Sequence, residues 1–338
     1  MFIIYKYNLQ TNFKKVQDLI SESNKIILTT HVVPDGDAIG SVIAMAGYLT
    51  QIGKTPVIIN HSETPYNLQF MDSDKSIRVF SDNTEENIKL INEADLIFIL
   101  DTNEFARTKS MQQYLIDSPA KKVCIDHHTG IKEENYTAVI SNTVYPATCQ
   151  ILYDFIKSDN EKYLTTEVSS ALYVGIMTDT GSFRYPRTDA NVFIVCADLI
   201  NHGADPVQIY ENIFANVTME DIKLTSLFMQ SLEFFFDKKV VVGIVTQDDF
   251  KSLGLDIQHV EGFSSILMNI LGVKIGVILV ELRDNIKVSF RSKGELDIST
   301  LSKEFNGGGH KNAGGANVKD LTINELKNNI LEKLKRYF

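Results

Sequence analysis

No apolar run in this sequence approaches membrane-spanning length. The opening residues, Met1-Phe-Ile-Ile-Tyr-Lys6, lack the long apolar core of a secretion signal, so a cytoplasmic protein that engages no membrane is expected. Cysteine is scarce. Cys124, Cys149 and Cys196 are odd in number, sit in apolar surroundings and show no paired metal spacing, which leaves buried free thiols in a reducing compartment. Positive charge is in deficit as well: 33 Lys and Arg stand against 43 Asp and Glu, a formal charge of −10. A general duplex-DNA binder gains affinity by neutralising many phosphates, so that class is disfavoured, whereas a small anionic ligand needs only a local basic pocket. No Pro/Ser-rich linker, internal repeat or low-complexity segment marks a boundary. At 338 residues, with 22% of them charged, the chain is soluble in type and has room for two domains with separate cores.

The first half alternates strand-like and helix-like runs: apolar Ile26 to Thr30, helical Ala38 to Gln51, apolar Pro56 to Ile59, helical Thr84 to Asn92, then strands ending at Asp101 and Asp126. Such alternation predicts a doubly wound, mainly parallel sheet. Helices are expected over Ala147 to Ile156, Thr165 to Met177, Asp189 to Asn201 and Asp205 to Phe214. Phe183, Tyr185, Phe193 and Leu199 read as core. After a helical linker, strands are expected at Glu233 to Asp237, Val240 to Thr246, Lys274 to Arg283 and Ile286 to Lys293. Helices Ser264 to Leu271, Asp297 to Phe305 and Ile323 to Tyr337 would cover them, giving a smaller α/β mixed-sheet domain. The expected division is a domain over 1–204, a helical linker over 205–233 and a second domain over 234–338.

Four separated segments carry residues suited to holding metal. His31, Asp35 and Asp37 follow the first apolar strand, Asp101 ends another, and Asp126-His127-His128 closes a third. Asp179 lies in Thr178-Asp179-Thr180-Gly181-Ser182-Phe183-Arg184-Tyr185 behind a helical run. An open α/β sheet presents its ligands just beyond the carboxyl ends of strands. His31, Asp35, Asp37, Asp101, His127 and Asp179 together offer four carboxylates and two imidazoles, a set that bare would repel itself and hold some carboxyls protonated. Two divalent cations would bring about +4 against about −4. Two ions roughly 3.5–4 Å apart can share a hydroxide as nucleophile and clamp the phosphoryl oxygens of an in-line displacement. Oxygen and imidazole donors without thiolate suit Mn²⁺, with Mg²⁺, Co²⁺ or Zn²⁺ as substitutes. Gly36 allows a turn that splays Asp35 and Asp37 toward two ions, and the helix that follows offers N-terminal amides to an anion.

Each segment alone has a plainer use. Asp-Gly-Asp is commonly a turn, adjacent histidines are commonly incidental, and an aspartate after a buried strand commonly caps the next helix. Their succession, with three at strand ends, argues for a site. Five glycines between Gly307 and Gly315 would by themselves make a floppy loop; His310 and Lys311 inside it, with Arg291 on a preceding strand, favour an anion site.

The order His31-x-x-Pro34-Asp35-Gly36-Asp37-Ala38-x-Gly40-Ser41, then a strand-terminal Asp101, then Asp126-His127-His128, then Asp179-Thr180-Gly181-x-Phe183-Arg184, resembles the DHH phosphoesterase superfamily. Val288-Ser-Phe-Arg291-Ser-Lys293 followed by Phe305-Asn-Gly307-Gly308-Gly309-His310-Lys-Asn-Ala313-Gly314-Gly315-Ala316 looks like that superfamily's DHHA1 substrate domain. The pairing is similar to the NrnA-type nano-RNase/pAp phosphatases of bacteria. The resemblance implies that His31, Asp35 and Asp101 hold one metal and that Asp37, Asp101, His127 and Asp179 hold the other, with Asp101 bridging. It makes Asp126 the group that orients a histidine, and His128 a catalytic residue at the scissile phosphate that helps the leaving group. Arg291 and His310, with Gly308 and Gly309 allowing close approach, would hold the substrate's other phosphate across a cleft, and Arg184 is a further substrate contact.

The implied activity is Mn²⁺-dependent hydrolysis of very short RNA to mononucleotides and of 3′-phosphoadenosine 5′-phosphate (pAp) to AMP. Rivals are a phosphodiesterase for cyclic or linear dinucleotides, an inorganic pyrophosphatase, and a non-catalytic nucleotide sensor, the last disfavoured because every ligand position is filled. A long-substrate exonuclease would need an extended basic track that this chain lacks. Oligomeric state is left open, a homodimer included.

Overall fold

A computed structural model describes residues 2–260 and 262–338, apart from the side chains of residues 2–11 and of His310. The chain divides into two compact units, one ending at Asn216 and the other beginning at Val217.

The first unit contains helix α1 (Phe2–Glu22), strand β1 (Ile26–Thr29), α2 (Gly36–Gln51), β2 (Val57–Asn60), β3 (Ile77–Val79), α3 (Thr84–Asn92), β4 (Leu96–Leu100), α4 (Gln112–Asp117), β5 (Lys121–Asp126), β6 (Ala138–Ser141), α5 (Thr148–Asp159), α6 (Thr166–Asp179), α7 (Ala190–Asn201) and α8 (Pro206–Phe214). Its six strands are all parallel, in the order β3-β2-β1-β4-β5-β6. Alternate residues of the central strands enter opposite cores: Ile26, Leu28, Leu96, Phe98 and Leu100 pack on one face, and Ile27, Ile97 and Ile99 on the other. Burial on both faces is why these strands are unbroken apolar runs. The chain moves outward from β1 through β2 to β3, then returns to β4 and runs the other way through β5 to β6. Strand order thus reverses between β1 and β4, where an open sheet leaves a crevice at its carboxyl edge.

The second unit contains α9 (Met219–Gln230), β7 (Glu233–Phe235), β8 (Val240–Val245), α10 (Gln247–Leu253), α11 (Phe263–Asn269), β9 (Ile275–Glu281), β10 (Ile286–Ser292), α12 (Ser299–Lys303), β11 (Gly308–His310), β12 (Ala313–Val318) and α13 (Ile323–Leu334). Its sheet runs β11-β12-β10-β9-β8-β7, with β8 and β9 parallel and the other pairs antiparallel. The parallel and mixed sheets expected from the sequence both form.

Two local expectations change. The glycine-rich stretch is a hairpin rather than a loop, pairing Gly308 with Gly315 and Gly309 with Gly314. A Cβ at Gly307 would strike the Gly315 carbonyl, and Gly309, at φ +143°, could carry no side chain without meeting the Ala313 carbonyl. The supposed aromatic core is also thinner than expected. Leu199 is buried and Phe183 partly so, but Tyr185 and Phe193 are 51% and 54% exposed, because Phe193 lies on the outer face of α7 and Tyr185 in the turn before it. Among the described residues, no helix is long and apolar enough to cross a membrane.

Candidate metal centre

The six candidate ligands converge at the strand-order reversal. His31 follows β1, Asp101 follows β4, His127 follows β5, Asp35 caps α2, Asp37 lies in its first turn, and Asp179 ends α6. His31 Nε2 is 3.4 Å from Asp101 Oδ2 and 3.9 Å from Asp35 Oδ2. His127 Nε2 is 3.2 Å from Asp179 Oδ2, 3.5 Å from Asp101 Oδ1 and 3.9 Å from Asp37 Oδ2. The two oxygens of Asp101 therefore face different imidazoles. Asp101 itself adopts φ +56°, a left-handed conformation that aspartate tolerates better than most residues.

Local contacts prepare each carboxylate. Asp35 Oδ1 accepts from the amides of Asp37 and Ala38, both at 3.1 Å, which spends the helix N-terminal amides that the sequence offered to an anion and leaves Oδ2 toward His31. Gly36 is the first residue of α2 and not a turn glycine; its lack of a side chain matters because a Cβ there would collide with Thr178. Gly175 does the same on α6, since a Cβ would press on Asp37 Oδ1 and Cys149. The two helices can therefore approach closely enough to bring Asp37 and Asp179 to one imidazole.

Both histidines face these carboxylates in a way that calls for a cation. His31 Nδ1 lies 2.9 Å from the Val32 carbonyl and His127 Nδ1 lies 3.3 Å from that of Tyr145. An Nδ1 proton donated to a carbonyl leaves a lone pair on Nε2, aimed at negative oxygens. His127 Nε2 is buried and makes no hydrogen bond of good geometry. Without a cation the site must hold protons. Burial, then the charges of Asp37 and Asp35, pushes the Asp101 carboxyl well above the usual carboxylate range. Burial pushes Asp179 up to about 6 despite its contact with His127. Burial alone would lower the His127 pKa, but Asp179 and Asp37 outweigh it and raise it to about 9. The neighbouring Cys149 thiol is also pushed up, by burial and then by Asp37, so the donor set stays oxygen and imidazole. The chemistry of these donors fits hard or borderline divalent cations.

A pH dependence of the metal-free chain follows. Unfolded Asp and His titrate near 3.9 and 6.5, so the folded chain binds extra protons from about pH 4 to 6 at Asp179 and from about 6.5 to 9 at His127. Both contributions stabilise at the acid end of their windows and are lost as pH rises. Burial lowers the His31 pKa and works the other way below about pH 6.5, so thermal melts in EDTA should show a falling midpoint from pH 6.5 to pH 9, a slope that Mn²⁺ should flatten. A midpoint that rises with pH over that range in EDTA would contradict the proton-holding account.

The other candidates divide by unit. Asp126 is fully buried, and its Oδ1 meets His128 Nδ1 at 2.7 Å, so the histidine it orients is His128. Arg184 is exposed and spends its Nε on the Gly181 carbonyl, 2.7 Å away in its own turn. In the second unit, Arg291 stands on β10 with Nη1 donating to the Phe290 carbonyl, and Gly308 and Gly309 form β11. The side chain of His310 lies outside the described residues.

Residues 25–176 match the family model described as DHH family, N-terminal domain, and residues 237–338 match the DHHA1 domain. This chain carries a DHH domain followed by a DHHA1 domain. It is 27% identical over 312 residues to the bifunctional oligoribonuclease and PAP phosphatase NrnA of Thermus thermophilus, a match covering 92% of this chain and 89% of that one. The protein of the same name from Bacillus subtilis is 27% identical over 302 residues, covering 88% and 91%. An exopolyphosphatase-related protein from Bacteroides fragilis superposes with a TM-score of 0.92 at 28% identity over 97% of each chain.

In this DHH chain, some contacts at the centre come from residues that no sequence motif singled out. The Thr148 and Cys149 amides, at the start of α5, donate to Asp37 Oδ2 and Oδ1 at 2.6 and 2.9 Å, and Thr148 Oγ1 donates to Asp101 Oδ1 at 2.9 Å. The N-terminus of α5 thus grips both oxygens of the buried Asp37 from behind. The available signal was Pro146-Ala147-Thr148 ahead of a helical run, which marks a helix start but not its target.

Proposed function

We propose that this chain hydrolyses phosphoester bonds in very short oligoribonucleotides, releasing mononucleotides, and converts pAp to AMP. The observation that carries the reading is Asp101, whose two oxygens face His31 on one side and His127 on the other, so that two ligand groups share one carboxylate. In this reading His31, Asp35 and Asp101 hold one ion and Asp37, Asp101, His127 and Asp179 the other. When bound, the pair, Mn²⁺ by its donor set, lowers the pKa of water and neutralises charge on the phosphoryl group.

The chain's own residues do the rest. The Thr148 amide donates to Asp37 and its hydroxyl to Asp101, so both carboxylates are held in place. Asp126 accepts the Nδ1 proton of His128, which directs the Nε2 edge of the ring toward substrate and suits it to protonate a departing ribose oxygen. Arg291 and His310, with Gly308 and Gly309 in the hairpin, grip a phosphate remote from the reacting one, and Arg184 adds positive charge at the substrate. The test is one panel in Mn²⁺: a diribonucleotide, pAp, linear pApA, cyclic di-AMP and pyrophosphate at equal concentration. The largest kcat/KM on the diribonucleotide and pAp supports the reading; a preference for the cyclic dinucleotide or pyrophosphate sinks it.

Substrate choice makes a separate prediction. A charge-assisted contact is worth about 1.5–3 kcal/mol, or roughly 10- to 150-fold. Arg291→Ala should lower kcat/KM by about that factor on pAp or a dinucleotide and scarcely change hydrolysis of bis-p-nitrophenyl phosphate, which has no remote phosphate to grip. Equal losses on both would assign Arg291 to the reacting phosphate or to the fold.

A further inference from the structure

Asn103, two residues beyond Asp101, is only 7% exposed, and no step above uses its side chain. Its Nδ2 lies 2.7 Å from Asp126 Oδ2, 3.2 Å from the Thr129 carbonyl and 3.4 Å from the His128 carbonyl. Asp126 in turn meets His128 twice, through Oδ1 at Nδ1 and through Oδ2 at the backbone amide, 3.1 Å away. Asn103 is itself anchored: its carbonyl accepts from Tyr136 Oη at 2.9 Å, and the Tyr136 ring stacks on Phe105 with centroids 5.4 Å apart.

We propose that Asn103 is a positioning residue for His128. One amide group grips both the carboxylate that aims the imidazole and the carbonyls of the turn that carries it, so ring and backbone are held as a unit. An amide is the group this place requires. Its two N–H bonds serve acceptors on both sides, whereas an aspartate of the same shape would set a second carboxylate against buried Asp126. A hydrophobe would leave Asp126 Oδ2 and the turn without that donor. Asn103 acts through His128 and touches no reacting atom, so its loss should resemble a milder loss of His128. The inference rests on the reading of His128 as the group that assists the leaving oxygen.

That reading supplies the readout. A poor leaving group, the ribose oxygen of a dinucleotide, needs a proton; the aryl oxide of bis-p-nitrophenyl phosphate does not. Asn103→Ala should lower kcat on the dinucleotide roughly 10- to 100-fold, with KM and bound Mn²⁺ unchanged, and lower it on the aryl ester by less than about threefold. The double variant with His128→Ala should be no slower on the dinucleotide than His128→Ala alone. Equal losses on the two esters, or additive losses in the double variant, overturn the proposal. If His128→Ala itself slows both esters equally, the leaving-group reading has failed, and Asn103 is then judged by the double variant alone. Should Asn103→Ala not fold, Asn103→Ser goes through the same cycle: it retains a donor, so an intermediate, ester-selective loss supports positioning and an unselective one overturns it.

Discussion

Asp101→Asn should reduce turnover by several orders of magnitude and deplete bound Mn²⁺, while making the metal-free protein more stable. The opposed signs come from one carboxylate. On the proposed assignment, the two ligand sets would share this carboxylate when loaded, so its loss would weaken both and remove charge neutralisation together with water activation. Empty, it is a buried carboxyl crowded by Asp37, Asp35 and Asp179, and an amide removes that conflict. Asparagine is the informative replacement because it tolerates the left-handed backbone at this position and can still accept from Thr148 Oγ1. Elemental analysis, kcat at saturating Mn²⁺ and melting in EDTA make the measurement. Activity above about a tenth of wild type would remove Asp101 from the shared position. A lower melting temperature in EDTA would show that the carboxylate stabilises the bare fold.

The central strands were legible because a parallel sheet buried on both faces demands unbroken apolar runs, and Leu96–Leu100 is one. Helix α1 was not read from the sequence. Phe13, Val16 and Ile20 make a core-facing stripe, but it is interleaved with polar and charged residues and gains its meaning only from packing, as where Phe13 meets Phe155 edge-on at 5.5 Å. The β11–β12 hairpin was hidden for the opposite reason. Glycine has low strand propensity, and nothing local shows that the strands pass too closely for side chains.

The residues that converge at the sheet edge stood out in the sequence because His31, Asp101 and His127 each closely follow a buried strand. Their supports did not. Asn103 and Thr148 are ordinary polar residues whose partners lie 23 and 111 positions away, at Asp126 and Asp37, and only the folded sheet edge brings them together. Gly36 was noticed for the wrong physical reason: the sequence suggested a flexible turn, and the fold uses its missing Cβ for helix packing against Thr178.

His127 and His128 are adjacent in sequence, yet their replacement should have separable effects. His127 directs Nε2 at three carboxylates from a nearly closed position, whereas His128 has Nδ1 held at 2.7 Å by Asp126 and keeps its side chain 28% exposed. A proton-donating residue of this kind contributes about 10²- to 10⁴-fold to rate. His128→Ala should therefore cut kcat on a dinucleotide by about that factor and leave two Mn²⁺ per chain. His127→Ala should lose metal first and activity as a consequence, with partial recovery as Mn²⁺ is raised. The distinction is measured by elemental analysis after gel filtration, paired with kcat titrated against Mn²⁺. Loss of an ion from His128→Ala, or rescue of its turnover by added Mn²⁺, would mean that the two rings have been assigned the wrong way round. Asp126 would then orient a ligand rather than an acid.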